Sequence, residues 1–145
     1  MNALEHFSVE QQDRIKQAVH HAEVCTSGEI RVYIEDKCKT DVLDRAAFIF
    51  AELLMHTTAE RNGVLIYLAL SDKKFAIIGD VGIHQKVGDD FWNTIKENMT
   101  MHFKQSHFTE GLVYGIIESG KSLQHYFPRA HNDNDELPND LVFGK

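Results

Sequence analysis

Val64-Leu65-Ile66-Tyr67-Leu68-Ala69-Leu70 is an unbroken apolar run, followed by the polar turn Ser71-Asp72-Lys73-Lys74 and a second apolar segment, Phe75-Ala76-Ile77-Ile78. A run of strand length, without polar alternation and bounded by turn residues, leaves no side for solvent. It predicts a strand covered on both faces, with residues 75–78 returning as its hairpin partner. Gly79-Asp80-Val81-Gly82 closes that partner strand.

Upstream, Ile30, Val32 and Ile34 alternate with Arg31, Tyr33 and Glu35, the period-two pattern of a strand with one buried face. Between these strands Asp41 is a plausible cap for a helix whose inward stripe is Leu43, Ala46, Ala47, Phe50, Leu53 and Leu54, ended by Arg61-Asn62-Gly63. A crossover helix makes the first two strands parallel, whereas the hairpin makes the third antiparallel. Ser8-Val9-Glu10-Gln11 has capping-box form and opens a helix over residues 8–24, with Ile15, Ala18, Val19 and Ala22 inward. Downstream, Asp89 or Asp90 caps a third helix carrying Trp92, Ile95, Met99 and Phe103. A fourth runs over residues 109–126 with Leu112, Val113, Ile116, Ile117 and Leu123 inward, until Pro128 stops it. Its Gly111, Gly115 and Gly120 each cost roughly 1 kcal/mol of helicity, which close approach of a neighbour would offset. The expected fold class is α/β: a mixed parallel/antiparallel sheet flanked by helices, a three-layer α/β/α sandwich. Residues 1–128 form one domain and residues 129–145 a polar tail.

The 145 residues are 43% hydrophobic and 26% charged, enough for one core-bearing domain. Net charge is -7, with no basic stripe, which argues against nucleic acid and for cations as partners. Neither a signal peptide nor an apolar stretch of membrane length is visible, so a cytoplasmic protein without a membrane partner is expected. Cys25 and Cys38 form no CxxC and predict free thiols, and the amphipathic helices predict a monomer.

Strand direction suggests where chemistry gathers. Glu29 begins the first strand, Arg61-Asn62 precede the second, and Asp80 ends the third, which runs the other way. Asp89 and Asp90 open the next helix. Four segments are therefore expected to bring Glu29, Asn62, Asp80, Asp89 and Asp90 toward one rim, where hard oxygen donors suit Ca²⁺ or Mg²⁺. The structural alternative leaves Asp90 as a helix cap, Asp80 as a strand terminator and Glu29 paired with Arg61 or Arg31. A second acidic set, Glu35, Asp36, Asp41 and Asp72, is expected at the opposite rim among Lys37, Lys39, Lys73 and Lys74, as a solvated and charge-balanced edge.

Other patterns carry less. Cys25 to Arg31 matches C-x5-R, but a phosphate-binding cysteine loop needs a strand before it and a helix after it, the reverse of the expected order. The nine histidines show no H-E-x-x-H, and His20 and His21 should point apart on their helix. Asp133-Asn134-Asp135-Glu136 lacks the glycine and the final acid of a calcium loop.

Thr26-Ser27-Gly28-Glu29-Ile30, Asn62-Gly63-Val64-Leu65-Ile66, the hairpin ending at Gly79 with a second glycine at Gly82, then Phe103-Lys104, Phe108 and Gly111-Leu112, together resemble the TPM-domain family over residues 8–127. That family includes a plant thylakoid-lumen acid phosphatase linked to photosystem repair, and bacterial members of unknown activity. The resemblance implies binding of calcium or a related divalent ion, and implies a short stand-alone bacterial type. The chain departs from the family pattern in lacking a D-x-A-x-x-L lead-in and in carrying Asp80-Val81 between the two glycines. Two functions follow as expectations. One is a non-enzymatic divalent-cation-binding module for interaction or stress response. The other is a weak metal-assisted phosphomonoesterase in which Arg61 or Arg31 neutralises phosphate.

Overall fold

Every residue of β2 (Gly63–Ala69) is buried, as the continuous apolar run requires. The structure, a computed structural model, describes residues 3–129 and 141–144. β2 is flanked by β1 (Glu29–Glu35), parallel to it with Glu29 opposite Gly63 and Glu35 opposite Ala69. On its other side lies antiparallel β3 (Lys74–Gly79), with Val64 opposite Gly79 and Ala69 opposite Lys74. A fourth strand, β4 (Leu141–Phe143), runs parallel to β1 and completes the order β3-β2-β1-β4.

Alternation divides the side chains of the sheet between two cores. Ile30, Val32, Ile34, Val64, Ile66 and Leu68 pack toward α1 (Val9–Glu23), α3 (Val81–Lys104) and α4 (Phe108–Tyr126). Leu65, Tyr67, Ala69 and Ala76 pack toward Ala46, Ile49 and Phe50 of α2 (Val42–Glu52), and toward Met55 in the short 3₁₀ turn that follows it. The expected mixed sheet between helical layers is therefore present. Ser8 and Gln11 form the complete capping box of α1, and both Asp41 oxygen contacts cap α2 through Oδ2. The α4 glycines admit close neighbours: Phe103 lies against Gly111, Met99 against Gly115 and Ala22 against Gly120.

Several expectations need correction. A helical segment that was not expected begins at Val81, ahead of Asp89 and Asp90: Asp80 is its N-cap, and Oδ1 accepts the Val81 N–H at 2.8 Å. Gly88, at φ 76° and ψ 176°, is non-helical and divides α3 at a kink, so Asp89 and Asp90 open the helical stretch that carries Trp92, Ile95, Met99 and Phe103, as expected. Leu43, Ala47 and Leu54, and Ile117 of α4, are exposed rather than inward, and Ile49 joins Ala46 and Phe50 in the α2 core. β4 arises from Leu141-Val142-Phe143, three strand-forming residues within the segment read as polar tail. Phe143 packs edge-on to Phe7, with ring centroids 5.9 Å apart. The Asp133–Glu136 stretch (residues 133–136) lies outside the described residues. His20 and His21 have ring centroids only 6.0 Å apart, so they do not diverge as expected.

The opposite rim is less solvated than expected. Glu35 is buried and held by Arg45 of α2 through two contacts, Nε–Oε2 at 2.8 Å and Nη2–Oε1 at 2.9 Å, and by the Tyr67 hydroxyl. Burial pushes this carboxyl up, but hydrogen bonds from Arg45 and Tyr67 outweigh it and hold the carboxyl below its ordinary range. Its countercharge thus comes from α2 rather than from the neighbouring lysines. Asp72 accepts the Cys38 N–H at 2.7 Å, and Ser71 hydrogen-bonds Asp36.

The first turn of α3 is pressed against the loop before β2. Gly82 N donates to Arg61 O at 2.8 Å, and a Cβ on Gly82 would stand 2.0 Å from Glu60 O and 2.6 Å from Arg61 O. These are backbone atoms and cannot rotate away. Gly82→Ala is expected to destabilise the fold by about 3 kcal/mol, lowering the melting temperature by about 10 °C. A variant melting alongside the parent protein would show that α3 is not seated on this loop.

Candidate functional site

The turns at the start of β1, the start of β2 and the end of β3 meet at one rim. Thr26 fixes the first turn: its Oγ1 lies 2.5 Å from Phe127 O and 2.9 Å from Leu123 O, and accepts the Gly28 N–H at 3.0 Å. The end of α4 is thereby tied to the entrance of β1. Ser27 Oγ accepts from Asn62 Nδ2 at 3.1 Å and donates to Glu60 Oε2 at 3.3 Å, joining the first turn to the second. Glu23, buried at the end of α1, accepts the Ile30 N–H at 2.6 Å through Oε2.

Across this rim the sheet register places three residues in a row. Glu29 is opposite Gly63, and Asp80 N donates to Gly63 O at 2.9 Å from the other side. Strand spacing puts the Glu29 and Asp80 backbones about 10 Å apart on the same face, with a glycine between them. A Cβ on Gly63 would meet Met55 O at 3.1 Å, so a backbone carbonyl fills the gap between the two acids.

The two carboxylates differ in circumstance. Asp80 is closed by Arg61 in a two-pronged pair, Nε–Oδ2 at 2.7 Å and Nη2–Oδ1 at 2.8 Å, besides capping α3. Arg61 itself has a left-handed backbone, φ 53°, and its side chain is 48% exposed. Glu29 is 4% exposed, and no donor among the described residues hydrogen-bonds its carboxylate. Burial raises its affinity for a proton, opposed only by the field of Arg31. Nearby, Asn62 Oδ1 and Arg31 Nε are buried without a hydrogen-bond partner among the described residues.

The remaining expected ligands have other contacts. Asp89, 85% exposed, pairs with His84 Nε2 at 3.3 Å, while His84 Nδ1 accepts the Trp92 indole N–H at 3.1 Å. Asp90 is exposed, and its carbonyl accepts the Thr94 hydroxyl. The structure thus joins Arg61 to Asp80, Asn62 to Ser27, and Asp89 to His84. Among the described residues no group of three or more His, Cys, Asp or Glu side chains is arranged to hold a metal ion. Ser27, Glu60 and Met55 O were not foreseen as parts of the rim. A serine in a turn and a main-chain carbonyl carry no distinguishing mark in a sequence.

Cys25 follows α1 and precedes β1, so C-x5-R is not a phosphate-binding loop, and neither cysteine forms a disulfide among the described residues. Among the described residues no helix is long and apolar enough to cross a membrane.

The NMR structure of BA42 protein from the psychrophilic bacterium Bizionia argentinensis is 46% identical and superposes with a TM-score of 0.87 over 95% of each chain. The N-terminal domain of a P. gingivalis protein, 17% identical, has a TM-score of 0.67, covering 83% of this chain and 78% of that one, and shows the shared fold alone. No curated protein matches. The family model for the TPM domain matches residues 3–128, which takes in all the turns of the rim. The chain belongs to the TPM domain family.

Proposed function

We propose that this chain is a divalent-cation-binding TPM domain without catalytic turnover, and that Glu29 anchors the ion at the rim shared by β1, β2 and the β3–α3 junction. The observation that supports this most is the Glu29 carboxylate, buried, with the field of Arg31 but no hydrogen-bond donor among the described residues. A buried carboxylate without donors is costly, and a hard cation is the partner that suits it. Asn62 Oδ1 and the Met55 carbonyl are neutral oxygens at the same rim. Asp80 stands in the row with Glu29, and its present cation is the Arg61 guanidinium, half exposed and able to swing out when an ion takes its place. Asp89 and Asp90 reach such an ion only through rearrangement at the Gly88 kink. The overall charge of -7 adds a weak long-range attraction, largely screened at physiological salt.

A phosphomonoesterase role draws less support. It assigns phosphate to Arg61 or Arg31, and Arg61 already has its fork closed on Asp80. A carboxylate engaged with an ion is also a poor general base, because the ion stabilises the ionised form.

The first test uses protons instead of metal. Glu29 has a folded-state pKa above its ordinary 4.5, so the folded protein favours the protonated form. Folding stability therefore falls as pH rises from the unfolded value through the folded one, and the cost is fully present above both. Glu29→Gln is expected to melt higher than the parent protein at pH 7 in the presence of a chelator. That advantage should vanish at about pH 4 and below. Equal melting temperatures at pH 7 would mean that Glu29 has a compensating partner.

The second test is a titration with Ca²⁺ and Mg²⁺ read residue by residue by NMR. Few charged ligands imply a dissociation constant on the order of 0.1–1 mM. Amide shifts should centre on Glu29, Asn62, Gly63 and Asp80, and Glu29→Gln should weaken binding about tenfold or more. Shifts confined to Asp89 and Asp90 or to residues 131–136 would overturn the placement, and no shifts at all would overturn the function.

A further inference from the structure

We infer that the open edge of β3 is a self-association surface, where a second copy of this chain adds its own β3 antiparallel across a two-fold axis at Ile77. β3 ends the sheet, with β2 on one side and no strand among the described residues on the other. Asp80 N donates to Gly63 O, which fixes the alternation of the ladder: residues 74, 76, 78 and 80 turn their peptide groups toward β2. Phe75, Ile77 and Gly79 therefore turn theirs outward, and among the described residues none of these three N–H groups finds a backbone acceptor.

The edge lacks the usual devices against pairing. It has six residues, no proline and a single charge, Lys74, at its start. The other edge of the sheet, β4, has only three residues. Beside Ile77, Ile78 and Gly79 runs a cleft of about 360 Å³, walled by His84, Trp92 and Lys96 of α3, which leaves room along the outward peptide groups.

A second copy fits this edge because the strand is complementary to itself. With the axis at Ile77, Ile77 meets its own counterpart, and Phe75 meets Gly79 in both directions. All three outward residues then exchange both of their backbone hydrogen bonds, the strongest register an antiparallel pair can take here. The Phe75 ring comes across from Gly79, whose own face is already filled by Trp92, since a Cβ there would stand 2.4 Å from that ring. Lys74 falls opposite Asp80, whose carboxylate is held by Arg61 of its own chain, so no like charges meet at the ends. The arrangement is isologous and closes as a dimer with an eight-stranded sheet, in place of the monomer expected from the helices alone.

The test is amide hydrogen exchange and light scattering on the unaltered chain between about 10 μM and 1 mM, a range in which even weak association becomes populated. The expected result is a concentration-dependent dimer in which the Phe75, Ile77 and Gly79 amides gain protection with concentration. Lys74→Glu, an exposed substitution that leaves the core alone, should weaken the dimer about fivefold. Ile77→Pro removes an outward N–H together with a buried core side chain and should give a monomer; if it fails to fold, exchange on the unaltered chain still decides. A monomer throughout that range would overturn the inference. So would a dimer in which these three amides exchange at the same rate at every concentration.

Discussion

The architecture depends on the burial of β2 on both faces. A strand with no solvent-facing side must have apolar layers above and below it, which is why α2 cannot share a face with α1, α3 and α4. The same strand must also have its peptide groups paired on both sides. β1 supplies one ladder through a parallel crossover and β3 the other through a four-residue turn. Parallel pairing on one side and antiparallel on the other has a positional consequence. The start of β1, the start of β2 and the end of β3 all fall at a single rim, so the fold itself gathers Thr26 to Glu29, Arg61 to Gly63 and Asp80 to Gly82.

What the rim does with these residues is mostly structural. Thr26 ties α4 to β1, Ser27 links the turn to Asn62 and Glu60, and Gly82 lets α3 start against the backbone of residues 60 and 61. Asp80 works twice, as the cap of α3 and as the partner of Arg61. The family resemblance lies in these same residues because close backbone approach demands glycine and short hydroxyl side chains suit the turns. A shared motif of this kind reports a shared joint in the fold before it reports a shared activity.

Elements whose signals are local were legible in the sequence. The Ser8–Gln11 box (residues 8–11) marks α1 because both partners lie within one turn, and the alternation of Ile30, Val32 and Ile34 needs no knowledge of the rest of the chain. Signals that are shared between two roles misled. Asp80 fits a strand terminator as well as a helix cap, and Gly82 and Gly88 weaken the apparent helix, so the segment from Val81 to the Gly88 kink is not legible as helix, whereas the stretch that opens at Asp89 and Asp90 is. β4 was hidden because three strand residues at the end of a polar segment gain their meaning only from the free edge of β1. The pairing of the charges was least legible. Arg61 with Asp80, and Arg45 with Glu35, join residues 19 and 10 positions apart through the tertiary fold. The row Glu29–Gly63–Asp80 was foreseeable as a direction but not as a register. Burial of Glu29 was not foreseeable at all, since its neighbours on that face come from the 3₁₀ turn after α2.

Glu29 and Glu35 make the most informative comparison in the molecule. They begin and end the same strand, and six residues of alternation put both on the face that α2 covers. At Glu35 the fold supplies everything a buried carboxylate needs. Arg45 offers a matched fork and Tyr67 a hydroxyl, and the group stays ionised despite its burial. At Glu29 the fold buries the carboxylate to nearly the same extent and leaves its oxygens without donors. Packing alone does not account for that difference, because an apolar residue would fill the same place without the desolvation cost. The Glu35 end is complete within the chain. The Glu29 end has only the field of Arg31 and no hydrogen-bond donor among the described residues.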